Sequence, residues 1–114
     1  MNTYASRLML AVALAALLTL GFAEVSAATA DAAAGATLYK TKCSTCHGAD
    51  GKGATAVGKA DKIRDLGSAD VQGQSDAALT TIITAGKDKM PAFKTLKPAQ
   101  VTALIAYMRS LASK

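Results

Sequence analysis

The 114-residue chain has no tryptophan, two prolines, two cysteines and a single histidine, and aromatic residues make up only 4% of it. Each scarcity excludes something. Two cysteines cannot supply the several disulfides that staple small secreted domains, and with one histidine they fall short of the four ligands of a closed structural zinc site. No uncharged apolar run reaches the roughly 20 residues that a membrane-spanning helix needs, since the longest, residues 8–23, is followed at once by Glu24. No basic run is interleaved with aromatics and the net charge is a modest +5, so a nucleic-acid-binding surface is not expected. The length itself allows one domain and excludes a multidomain enzyme.

What is present divides into two unlike parts. Arg7, the apolar run 8–23 and the small residues that follow read as a secretory signal peptide, residues 1–27, with Val25 and Ala27 framing a cleavage site and Ala30 an alternative one. The expectation is an exported, periplasmic protein. Removing 1–27 takes away one basic residue, Arg7, and one acidic residue, Glu24, so the surplus of +5 is unchanged. The remaining stretch, 28–114, is close to the size at which a hydrophobic core alone is barely sufficient, so a covalent or cofactor staple is expected within it.

The candidate staple is the run Cys43-Ser44-Thr45-Cys46-His47, which gathers both cysteines and the only histidine. A disulfide between Cys43 and Cys46 would close too small a loop to stabilise the fold, and belongs more naturally to a redox dithiol. That reading calls for a strand leading into the motif, whereas the preceding residues are alanine-rich and favour helix. Covalent haem attachment fits the spacing: two thiols on one helical turn pin one edge of a porphyrin, and the next residue reaches the iron from the same turn. A sixth ligand then has to come from elsewhere. Met108 repeats with Val101, Leu104, Ile105 and Leu111 at helical spacing and reads as core. Met90 precedes Pro91 beyond a helix end, in a segment expected to be extended, and no packing pattern accounts for it. It is the candidate ligand.

A first helix is expected from an N-cap at Asp31 into the motif. Residues 48–74 carry six glycines with little periodicity and read as one long loop. Ser75 caps a second helix over DAALTTIITA that ends before Gly86, although the β-branched run from Thr80 to Thr84 is also compatible with a strand. A third helix starts at Pro98 and continues to about Ser113. The expected fold is all-α, with three main helices.

These residues resemble the short, single-haem class I c-type cytochromes that act as soluble electron carriers outside the bacterial cytoplasm. GATLYKTKCSTCHG is similar to the first helix and haem motif of that family, KMPAF to its methionine loop and LIAYMRSL to its closing helix. The resemblance implies one covalently bound haem c held by Cys43 and Cys46, with iron ligated by His47 and Met90. It also implies first and last helices that cross where Gly35 and Tyr39 pack on Leu104 and Tyr107. Two family features are absent: a proline after the motif, whose carbonyl would hold the ligand histidine, and a tryptophan at a haem propionate. Arg64, Gln72 and Gln74 are the replacements available for the latter.

With both axial positions filled by protein, the resemblance implies a one-electron carrier and not an enzyme. The neutral thioether of Met90 and an apolar wall favour ferrous over ferric iron, which makes the carrier relatively oxidising. The protein is expected to be a monomer, with Lys87, Lys89, Lys94 and Lys97 around the methionine segment and Lys40, Lys42 and Lys52 around the motif ringing the exposed haem edge. It would dock transiently on acidic redox proteins or membrane respiratory complexes. Two other readings stay open on the residues alone: a thiol-disulfide oxidoreductase using Cys43 and Cys46, and a haem sensor or peroxidase in which Met90 leaves the iron free.

Overall fold

The computed structural model describes residues 31–112. Residues 1–27, expected to form a signal peptide, with Arg7 and the two expected cleavage sites, therefore lie outside the described residues. Helix α1 occupies residues 31–42, and the chain continues through Cys43 into the single turn α2, Ser44–His47. Asp31, the expected N-cap, is itself helical. Two short helices follow, α3 at Ala56–Ala60 and α4 at Ala69–Gln72, and then the longer α5, Asp76–Ala85, and α6, Pro98–Ser110. No strand occurs among the described residues, and none of their helices is long and apolar enough to cross a membrane.

The caps explain the ends of α5 and α6. The Ser75 hydroxyl accepts from the Ala78 amide at 3.1 Å, and the helix stops at Gly86, whose φ of +79° most side chains avoid. Thr80 to Thr84 are helical, which settles the strand alternative. Pro98 opens α6 at a position where its missing N–H costs nothing. Gln100 Oε1 accepts from the Lys97 amide at 2.9 Å, supplying half of a capping box. The helix closes at Ser110, about one turn sooner than its apolar pattern suggests, with Leu111 as its cap.

Along α6, Val101, Leu104, Ile105 and Met108 all face inward and are buried, as their spacing requires. They meet Leu79 and Ile83 of α5, and Leu66 and Val71 from the glycine-rich stretch. Tyr39 of α1 is buried beside them, its ring 5.0 Å from that of Tyr107 and tilted by 50°. Gly35 makes this crossing possible, because a Cβ there would lie 1.9 Å from the Ala103 carbonyl oxygen. The close neighbours of Gly35 are therefore Ala103 and Tyr107.

The stretch 48–74 is not one long loop, since it contains α3 and α4. Thr55 starts α3 by accepting from the Gly58 amide at 2.8 Å. Gly58 hides this helix from a propensity reading, yet a Cβ there would lie 2.2 Å from the Gly53 carbonyl oxygen. At the far end of the stretch Arg109 of α6 donates to the carbonyls of Gln72 and Gln74, at 2.7 and 2.6 Å, and also pairs with Asp76.

Candidate functional site

Helices α1, α2, α5 and α6 and the loops between them enclose an apolar cavity of about 310 Å³, lined by Cys43, Cys46, His47 and Met90 together. Three of these come from one turn. The Cys46 and His47 amides both donate to the Cys43 carbonyl, at 3.2 and 3.0 Å, so the two thiols and the imidazole share one side of that turn. Met90 enters from the segment after α5. The inner wall is largely hydrocarbon, from Leu66, Val71, Leu79, Ile83, Leu104 and Met108. Met108 is thus core, as its spacing predicts.

The motif is held by its backbone. The Tyr39 hydroxyl donates to the Gly48 carbonyl, the Gly53 amide to the His47 carbonyl and the Thr55 hydroxyl to the Cys46 carbonyl, each at 2.7 Å. Thr55 went unnoticed in the sequence, where a lone threonine between glycines carries no signal. The role of Tyr39 has a weak signal, since it lies one helical turn before Cys43. His47 Nδ1 is buried and has no hydrogen-bond partner among the described residues. The missing proline is therefore not replaced by another acceptor for the ring; the peptide bonds around the ring are fixed instead.

Burial sets the protonation of the motif. It pulls His47 below the usual imidazole range, so the ring is neutral near pH 7 and carries a lone pair for a metal. Burial also pushes the Cys43 thiol up, against the opposing effect of Lys42 and with a smaller push from Cys46. A catalytic dithiol needs a depressed thiol, and the Cys43 thiol is shifted the other way.

The methionine segment begins with a turn, and Met90 itself, before Pro91, lies in an antiparallel β-bridge with Lys87. Residues 87–90 form a tight turn in which the Lys87 amide donates to the Met90 carbonyl at 3.1 Å and the Met90 amide to the Lys87 carbonyl at 2.8 Å. Asp88 turns the chain with φ +53°, a conformation that neither glycine nor asparagine announces in the sequence. Pro91 restricts Met90 but does not decide the turn that precedes it.

Exposed cations surround the cavity mouth. Lys42, Lys62, Arg64, Lys87 and Lys89 line it, whereas Lys40, Lys52, Lys94 and Lys97 do not. Arg64 and Gln74 also reach the lining. Gln72 does not: its amide donates to the carbonyls of Leu66 at 2.7 Å and Met108 at 2.9 Å, which removes it as a propionate partner.

These residues fit a haem. Two thiols and a neutral imidazole open on the same apolar space as a thioether, which is the donor set of a low-spin iron porphyrin. Comparison with known proteins agrees. Residues 30–108 match the family described as cytochrome C oxidase, cbb3-type, subunit III. The solved structure of the c-type cytochrome KustC0563 is similar, with 32% identity over 69% of this chain and 98% of that one, and a TM-score of 0.63. A search of curated proteins finds no match.

Proposed function

We propose, from the premise that this chain belongs to the family of small c-type cytochromes, that it carries single electrons outside the cytoplasm on one covalently bound haem c. The fold is the all-α cytochrome c fold, and family membership supports haem-based electron transfer in general. The observation that carries the finer reading is the convergence of Cys43, Cys46, His47 and Met90 on one apolar cavity.

A haem bound there supplies an iron centre that cycles between ferrous and ferric states. Cys43 and Cys46 anchor it by thioether bonds, each sulfur adding to one carbon of a vinyl group and the thiol proton going to the other. His47 would hold the iron through its other ring nitrogen, Nε2, and Met90 through its sulfur, which would leave no coordination position for oxygen or substrate. The three 2.7 Å bonds around the motif hold the histidine peptide in one place in both oxidation states, which limits reorganisation. Leu79, Ile83 and Leu104 exclude water and disfavour the extra positive charge of the ferric state, raising the potential.

Lys42, Lys62, Lys87 and Lys89 at the mouth would steer acidic redox partners toward the exposed edge, in encounters weakened by salt. Residues 1–27 would direct the chain to the periplasm, where the thioether bonds are made. The test is the intact mass of periplasm-expressed protein. A gain of one haem that survives acid-acetone extraction, and is lost in the Cys43→Ala/Cys46→Ala variant, is expected. A colourless protein with two titratable thiols would instead favour the dithiol reading.

A further inference from the structure

Among the described residues, only Lys62 and Asp88 combine a side chain with positive φ, both at 53°. Left-handed backbone at residues other than glycine is strained and tends to occur where the surrounding structure uses it. Here the two residues sit on different segments of the cavity mouth, and each adjoins one member of an ion pair. Lys89 Nζ donates to Asp61 Oδ1 at 2.8 Å, joining positions 28 residues apart.

The bonding of the methionine turn gives this pair its importance. The main-chain hydrogen bonds of residues 87–90 run between Lys87 and Met90 and remain inside the turn. Among the described residues, the Lys89–Asp61 bond is the one hydrogen bond that ties residues 87–90 to another part of the molecule; Met90 otherwise packs on the core, and the next main-chain tie is the Phe93 amide to the Ile83 carbonyl. Its two ends differ. Asp61 caps α3, with its amide donating to the carbonyls of Val57 and Lys59, and its side chain is 25% exposed; that of Lys89 is 72% exposed. Asp61 is the fixed end and Lys89 the releasable one.

We infer that the Asp61–Lys89 pair is a latch that holds the methionine turn against the α3 side of the cavity mouth, making Asp61 a positioning residue for Met90. The inference rests on Met90 being an iron ligand. An exposed pair adds little to global stability and is screened by salt. Its effect therefore falls on how often the turn lifts, not on whether the protein folds. Releasing the pair frees the one segment that brings in Met90 while leaving the histidine wall untouched.

The oxidised holoprotein tests this when it is mixed with imidazole, and loss of the far-red sulfur-to-iron absorption band reports displacement of Met90. At low salt Asp61→Asn should speed displacement by about two- to fivefold, the range given by an exposed pair. The exchanged variant Asp61→Lys/Lys89→Asp should return the rate to near that of the unaltered protein. Salt at about 0.5 M should bring the unaltered protein up to the Asp61→Asn rate and leave that variant unmoved. Equal rates for Asp61→Asn and the unaltered protein at low salt overturn the latch, as does an exchanged variant that stays fast. An unaltered protein lacking the band overturns the ligand assignment and the latch together; a normal band with unchanged rates overturns the latch alone.

Discussion

Around His47 three 2.7 Å hydrogen bonds converge on the carbonyls of Cys46, His47 and Gly48, from donors on α1 and on the loop leading to α3. Around Met90 the main-chain bonds of the turn stay within it, and its one hydrogen bond to another segment is the exposed ion pair; Met90 otherwise packs on the core, and the next main-chain tie is the Phe93 amide to the Ile83 carbonyl. One cavity thus has a wall fixed by three hydrogen bonds to main-chain carbonyls and a wall held by packing and a single surface ion pair. The difference matches the two tasks that the proposed function assigns to these walls. The thiols must be presented in a single geometry for attachment, whereas a thioether ligand can be released and recaptured without losing the cofactor. Damage to the first wall should appear as lost stability, and damage to the second as faster ligand exchange at unchanged stability.

The largest effect is expected from Gly58→Ala. The added Cβ would stand 2.2 Å from one carbonyl oxygen and 2.9 Å from that of Cys46, so α3 has to move off the motif. Overpacking of this kind costs about 3 kcal/mol, which for a domain of this size lowers the melting temperature by on the order of 15 °C. Thr55→Val comes next, because it leaves both the Cys46 carbonyl and the Gly58 amide without a partner. A loss of about 2 kcal/mol is expected in thermal or denaturant unfolding of the holoprotein.

Tyr39→Phe keeps the ring against Tyr107 but removes the bond to Gly48, at a cost of about 1 kcal/mol near neutral pH. It also has a pH signature. Burial, reinforced by Cys43, Tyr107 and Asp50, raises the Tyr39 phenol far above its ordinary 10.0. A neutral phenol that ionises only on unfolding contributes its full stability below pH 10 and loses it as the pH climbs further. The unaltered protein should therefore weaken more steeply than Tyr39→Phe above pH 10. The smallest effect on stability belongs to Asp61→Asn, whose melting temperature should match that of the unaltered protein. A fall as large as that of Thr55→Val would erase the distinction between the two walls.

The sequence made the first of these walls more legible than the second. Cys43, Cys46 and His47 are contiguous, so one helical turn assembles them without any tertiary information. Helices α5 and α6 were readable because Ser75, Gly86 and Pro98 mark their ends and the apolar spacing between marks is regular. Helices α3 and α4 were not, since each is about one turn long and Gly58 lowers helix propensity where close approach requires it. The turn at 87–90 depends on left-handed backbone at Asp88, and the latch on two charges 28 residues apart; neither leaves a local pattern. Gln72 was misjudged for the same reason, because the Met108 carbonyl that engages it lies 36 positions further along the chain.

Both walls meet in the claim that His47 and Met90 occupy the two axial positions of a haem iron. Exposure of the reduced holoprotein to carbon monoxide tests that claim most directly. The unaltered protein should show no change in its visible spectrum on the mixing timescale, while Met90→Ala should keep its haem and bind the gas. Rapid binding by the unaltered protein would contradict the account.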